Sequence, residues 1–155
     1  MGSGASSLDL QIEKIQKEGK EISLENIPLL IQIIKQYPEH KLKALDVIDK
    51  ISDIKANRVR MASPSLGLLE VLVQTIREDK GEPRVKVLRI ATNISIASQN
   101  KVPMANPSLG LLGVLVQTIR EDKGETRVHA LRTIRNLSYA IENKVPMSSD
   151  RKSVV

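Results

Sequence analysis

A short stretch of sequence occurs three times in this chain at a nearly constant step. Asn57–Met61 is Asn-Arg-Val-Arg-Met, Asn100–Met104 is Asn-Lys-Val-Pro-Met, and Asn143–Met147 repeats the second form. Val71–Glu82 also returns unchanged as Val114–Glu125, and roughly three quarters of the positions in the last two copies are identical. A period of about 43 residues indicates duplication of one structural unit, which must bury its apolar residues against its neighbours.

Each unit contains two amphipathic segments separated by a polar turn. In the second unit, apolar residues recur at helical spacing over Leu66–Ile76 and Val85–Ile94, with a turn rich in Gly and Pro at residues 78–83. A short helical turn near Asn100 leads to the next unit, where Thr126 is predicted as the N-cap of the last helix. The pattern predicts an all-α fold, a right-handed α-solenoid of three units with one short and two longer helices each.

The repeat divides the chain into segments of different roles. Residues 1–7 are predicted as a flexible start, residues 8–20 as a capping helix, and residues 148–155 as a flexible tail. The units occupy residues 21–61, 62–104 and 105–147, and the first is the most diverged. We predict Leu137 and Ile141 on the outer face of the third unit, which no polar cap follows. This face either associates with a second copy, continues into a longer array, or stays uncovered.

The helices of the units resemble those of the armadillo repeat. Ala130–Ser138 is Ala-Leu-Arg-Thr-Ile-Arg-Asn-Leu-Ser and Val87–Ser95 ends in Thr-Asn-Ile-Ser, similar to the third helix of that family. Ile27–Ile31 resembles the start of its second helix. The resemblance covers about 130 residues, and the HEAT repeat, whose period overlaps, is the nearest alternative. It implies a non-catalytic module that binds a protein or an extended peptide in a concave groove lined by third helices.

The resemblance also implies which amide side chains face the ligand. In the family, an Asn of the third helix hydrogen-bonds the backbone of the bound peptide. The matching positions are Asn93 and Asn136, whereas the first unit has Lys50 there. An amide offers both a donor and an acceptor, as a peptide bond does.

Arginine stands where this family often has a groove tryptophan. These positions are Arg89 and Arg132, one turn before the two Asn residues, and Arg135 lies next to Asn136. The missing Trp argues against a nuclear-import receptor, which relies on those residues. The predicted peptide groove thus comprises Asn93, Asn136, Arg89, Arg132, Arg135 and Lys50. Such a groove is basic and favours acidic or phosphorylated peptides.

The overall charge supports an acidic partner but leaves other classes open. The net charge is +6, which also suits nucleic acid. Because Tyr37 and Tyr139 are the only aromatic residues, base stacking would rest on Arg, and we rank nucleic-acid binding below peptide binding. The third alternative is a structural solenoid fragment that forms a homodimer through its third unit.

The N-terminus fits a lipidation pattern. Met1–Ser6 matches the N-myristoylation signal with Gly2 as the acceptor, and it resembles the start of myristoylated vacuolar-type armadillo proteins. A single myristoyl chain gives only reversible membrane binding. We therefore expect a cytoplasmic protein that is peripheral on a membrane when Gly2 is modified.

Nothing in the sequence suggests catalysis. The chain has no cysteine, and its two histidines, His40 and His129, lack neighbours in a metal-ligand or nucleophile–base spacing. We expect both histidines to be solvated. The sequence therefore predicts a protein that is not an enzyme and that carries no metal and no cofactor.

Overall fold

The described part of the chain is entirely helical. The computed structural model describes residues 3–18 and 24–140, which contain helices and turns but no strand. The α-helices are α1 (Ser3–Gln16), α2 (Ile27–Gln36), α3 (Lys41–Ser52), α4 (Arg58–Met61), α5 (Leu68–Glu78), α6 (Glu82–Ser95), α7 (Lys101–Met104), α8 (Leu111–Glu121) and α9 (Glu125–Ser138). Short 3-10 helices cover Leu24–Asn26, Pro38–His40, Lys55–Asn57 and Ser98–Asn100. The all-α prediction is confirmed for these residues.

The longer helices pair into hairpins, and the hairpins stack. Helix α2 packs on α3, α5 on α6, and α8 on α9. Between hairpins, α2, α5 and α8 follow one another in one row, and α3, α6 and α9 form a second row. Helix α1 packs on α3 at the first hairpin and begins at Ser3 rather than Leu8. A hairpin is therefore covered on both of its stacking sides only if a neighbouring element packs against each side.

A single aliphatic core runs through the stack. Side chains with no exposed surface include Ile12 of α1, Leu45 of α3, Leu88 of α6 and Leu137 of α9. Burial of each such side chain contributes about 1.5–3 kcal/mol. The prediction of Leu137 on the outer face of the third unit is wrong, because this residue points into the core between α9 and its neighbours. Ile141 lies outside the described residues.

The Asn of the repeated Asn-(Arg/Lys)-Val-x-Met motif hydrogen-bonds the C-terminal end of the second helix in its hairpin. Asn57 Nδ2 donates to the Ile51 carbonyl at 3.2 Å, and Asn100 Nδ2 donates to the equivalent Ile94 carbonyl at 3.0 Å. Asn100 also donates to the Arg58 carbonyl at 2.7 Å, which joins two successive short helices. The Ile51 and Ile94 carbonyls lie in the last turn of their helices, where they also accept backbone N–H groups of Ile54 and Ala97 from just past the helix ends.

The cation that follows each Asn caps the same helix end. Arg58 Nε donates to the Ser52 carbonyl at 2.9 Å, and Lys101 Nζ donates to the Ser95 carbonyl at 2.8 Å. Lys101 also donates to the Asn136 carbonyl of α9 at 2.9 Å. Positive charge is favourable at a helix C-terminus. The motif is therefore a structural device of the repeat, and its third copy at residues 143–147 lies outside the described residues.

Glycines at positive φ set where the hairpin helices start. Gly67 and Gly110 precede α5 and α8 with φ of 77° and 81°. Gly124, at φ 71°, is the last residue of the turn between α8 and α9, so α9 starts at Glu125. Thr126 therefore lies inside the helix, and its prediction as the N-cap is wrong.

We expect loss of the Asn100 amide to destabilise the protein more than loss of the Asn57 amide. Asn100 is buried and makes two hydrogen bonds, one of them between units, whereas Asn57 is half-buried and makes one. Asn100→Ala should lower the free energy of unfolding by about 2 kcal/mol and Asn57→Ala by about 1 kcal/mol. Urea denaturation measures both; equal losses would contradict this account of the motif.

Two neighbouring glycines of the third unit should respond in opposite directions to alanine. Gly110→Ala forces a side chain into the left-handed region and should cost about 1–2 kcal/mol. Gly113 lies inside α8, and an added Cβ there meets no atom within 4 Å, so Gly113→Ala should stabilise by about 0.5–1 kcal/mol. Thermal unfolding of the two variants tests the pair, and a stabilised Gly110→Ala protein would be inconsistent with it.

Candidate binding surface along α3, α6 and α9

The residues predicted for the groove lie on three helices that pack side by side. Lys50 belongs to α3, Arg89 and Asn93 to α6, and Arg132, Arg135 and Asn136 to α9. Because α6 packs on both α3 and α9, the fold brings these residues onto adjacent helices of one row.

The two predicted amides make matching bonds between units. Asn93 Nδ2 donates to Ser52 Oγ at 3.0 Å and to Asp53 Oδ1 at 3.1 Å. Asn136 Nδ2 donates to the equivalent Ser95 Oγ at 3.0 Å. Both amide nitrogens thus hold neighbouring helices together. Neither Oδ1 atom accepts a hydrogen bond from any residue that the structure describes, so these oxygens are the acceptors open to a ligand.

Two serines that were not predicted as site residues make this arrangement. Ser52 Oγ donates to the Asp49 carbonyl at 2.6 Å, and Ser95 Oγ donates to the Thr92 carbonyl at 2.7 Å. With its proton engaged in its own helix, each hydroxyl offers only lone pairs to the amide of the next unit. The sequence signal is a serine at the same position of each unit, Ser52, Ser95 and Ser138. The first two accept from the Asn of the following unit.

Acidic residues of α3 neutralise the cations of α6. Lys86 Nζ lies 2.7 Å from Asp46 Oδ1, and Arg89 Nη2 lies 3.6 Å from Asp49 Oδ2. Burial raises the pKa of Asp49, while Arg89 acts in the opposite direction. No motif of the sequence predicts these pairs. They offset much of the positive charge that Arg89 was expected to give the second unit.

The remaining cations lie mainly on α9. Arg132 is exposed and forms no ion pair with any described residue. Arg135 Nε donates to Tyr139 Oη at 3.0 Å and is also exposed. Lys50 is exposed on α3, at the other end of the surface. The surface therefore has a polarity: α3 carries Lys50 beside carboxylates that pair with cations of α6, whereas α9 carries the arginines.

Both histidines are less exposed to solvent than the sequence led us to expect. His40 is buried, and its Nδ1 lies 2.9 Å from Asp9 Oδ1, which holds α1 against the first hairpin. Asp9 also accepts a hydrogen bond from Lys43 at 3.1 Å, and this bond is the main reason that its pKa is lowered. His129 is half-buried, which lowers its pKa, and its Nε2 lies 3.6 Å from Glu125. Both therefore pack within the stack.

Two further features of the described residues bear on function. They contain no group of three or more His, Asp or Glu side chains that could hold a metal ion. Within residues 3–18 and 24–140, no helix combines the length and the apolar composition that crossing a bilayer requires. Gly2 lies outside the described residues, and its modification stays a prediction.

Comparison of the chain with protein-family models, with curated proteins and with solved structures gives no match. The armadillo resemblance therefore rests on the motifs of this chain.

We expect Asp49→Asn to stabilise the protein at pH 7 and to have little effect at pH 3. Burial raises the folded-state pKa of Asp49, so ionisation costs stability as the pH rises from its unfolded value of 3.8 through the folded pKa. One carboxylate oxygen is also buried without a hydrogen-bond partner among the described residues. The gain at pH 7 should be on the order of 1 kcal/mol.

Chemical denaturation between pH 3 and pH 8 measures this effect. Asp46→Asn is the matched control, because Asp46 is more exposed and pairs with Lys86 on the surface. It should change stability little at any pH. A loss of stability in Asp49→Asn at pH 7 would show that the pair with Arg89 outweighs the cost of burial.

Proposed function

We propose that this chain is a non-catalytic protein-interaction module, a right-handed α-solenoid of three armadillo-like units. In this proposal, an extended acidic peptide binds across α3, α6 and α9. The stacking of three hairpins in two rows supports the fold. The main support for the function is the recurrence of Asn93 and Asn136 on adjacent helices, each with its nitrogen fixed by a serine and its oxygen open.

The spacing of the units suits a peptide in extended conformation. Packed helices lie about 8–10 Å apart. An extended chain advances about 3.3 Å per residue, so roughly three ligand residues span one unit. Amide acceptors on successive helices can then accept hydrogen bonds from backbone N–H groups that recur along the ligand. Contacts to the ligand side chains that lie between these N–H groups supply selectivity.

The charge polarity of the surface adds a constraint on the ligand. Arg132 on α9 favours a carboxylate or phosphate, whereas Asp46 on α3 and Asp53 directly after α3 disfavour one. We therefore expect ligands that are acidic at the end bound over α9 and neutral or basic at the end bound over α3.

The alternatives have less support. Tyr139 is the aromatic residue nearest this surface, and its hydroxyl accepts a bond from Arg135 while Lys101 lies 5.9 Å from its ring centre. Neither arrangement favours stacking of a nucleotide base on this ring. Nucleic-acid binding therefore ranks below peptide binding, which is also the order that the sequence favours.

A charge reversal on α9 tests the proposed surface. Peptides selected from a display library on the wild-type protein should bind Arg132→Glu about tenfold more weakly, because the carboxylate repels the acidic end of the ligand. Fluorescence anisotropy with the selected peptides gives both affinities.

Lys80→Glu is the matched control, because it makes the same change of charge at an exposed position in the turn between α5 and α6. It should leave the affinity nearly unchanged. If both variants bind the selected peptides as tightly as the wild type, the peptide does not lie over α9.

A further inference from the structure

The side of the third hairpin that faces away from the second is apolar. Leu88 and Val73 of the second unit are 0% and 4% exposed, whereas the equivalent Leu131 and Val116 of the third are 46% and 40% exposed. The residue types at these positions are the same in the two units. The exposure differs because the third hairpin packs on this side of the second, whereas no described hairpin packs on this side of the third. We call this surface the end face; it comprises Leu112, Val116, Ile119, Leu131 and Ile134.

The second unit shows what kind of structure fits such a face. Val71–Glu82 and Val114–Glu125 are identical, so α8 presents outward much of the surface that α5 presents to α8. The occupant of that surface in the second unit is a hairpin, α8 with α9. The end face therefore continues an interface that the chain already forms internally.

A basic residue at the edge of each unit reaches an aspartate of the next. Lys41 Nζ lies 2.8 Å from Asp79 Oδ2, and the equivalent Arg84 Nη1 lies 2.9 Å from Asp122 Oδ1. The third member of this series is Arg127, which is exposed and has no ion pair among the described residues. The series predicts an aspartate in whatever covers the end face.

Two further arginines border the end face. Arg120 is equivalent to Arg77, which lies between the second and third units. Arg135 replaces Thr92, whose hydroxyl is 2.9 Å from the Thr133 hydroxyl of the next unit. With Arg127, these residues make the border of the end face basic. A second copy related by two-fold symmetry would bring the same arginines together, which is unfavourable.

We propose that the end face docks a helical hairpin of a partner protein, one whose apolar side is bordered by acidic residues. An aspartate at the end of its first helix would meet Arg127, as Asp122 meets Arg84. A second acidic residue would meet Arg135, at the position of Thr133. This interaction uses the outward side of α8 and α9, and it shares only Arg135 with the surface predicted for the peptide, since Arg135 stands at the position of Thr92, which faces the next unit.

A peptide built from the hairpin of the chain itself probes the end face. The probe is a synthetic peptide of residues 105–140 with Thr133→Asp, and the matched probe carries Thr133→Lys. Titration of each labelled peptide into the full chain should give one-to-one binding of the first, at least about tenfold tighter than the second and weakened by salt. Circular dichroism should show a gain of helix on binding.

Variants of the full chain locate the contact. Leu131→Glu should abolish binding, whereas Leu10→Glu, at the 66% exposed Leu10 of α1, should leave it unchanged. Both positions are exposed, so both variants should keep the wild-type unfolding temperature. Arg127→Glu should weaken binding, and a probe that also carries Asp122→Arg should restore it.

Three results would overturn the proposal. The first is no binding of the Thr133→Asp probe, and the second is equal binding of the two probes. The third is a concentration-dependent dimer of the chain, seen by sedimentation and lost in Leu131→Glu, which would assign the end face to a second copy.

Discussion

Burial of aliphatic side chains between successive hairpins is the interaction on which the rest of this structure depends. A hairpin of two helices has apolar residues on both of its stacking sides, and a neighbour must cover each one. Leu88 is fully buried because a third unit follows it, whereas Leu131 is half exposed. Without Phe or Trp, the layers are filled by Leu, Ile, Val and Ala together with Met61 and Met104, which suits thin and closely stacked helices.

Apolar contacts alone would not hold one hairpin in a single register on the next. Directional bonds do this within the second helix row and at one edge of it. At one edge, Asn100 joins the ends of two units, and within the row Asn93 bonds Ser52 while Asn136 bonds Ser95. Because buried polar groups are costly when unpaired, a shifted register would leave these amides and hydroxyls unsatisfied. The same bonds orient the amide oxygens that we propose as ligand acceptors.

Charge is distributed unevenly along the stack, and this unevenness separates the two proposed surfaces. Carboxylates of α3 engage the cations of α6, so free positive charge accumulates on the third unit. Arg132 serves the peptide surface, and Arg127 borders the end face. An acidic partner is thus expected at both places, although one contact requires an extended peptide and the other a helical hairpin.

The sequence by itself determined the helical class and the approximate positions of the hairpin helices, because the helical spacing of apolar residues can be read from short stretches of the chain. It also placed Asn93 and Asn136 on one row, since both occupy the same position of the repeat. Only the tertiary structure decided what their nitrogens bond, that Asp49 faces Arg89, and that His40 is buried against Asp9. These contacts join residues about 30–40 positions apart, and their geometry depends on how one hairpin rests on another, which no local pattern encodes. Leu131 and Leu137 are both apolar residues of α9. For the same reason, only the packed structure assigns Leu137 to the core and Leu131 to the end face.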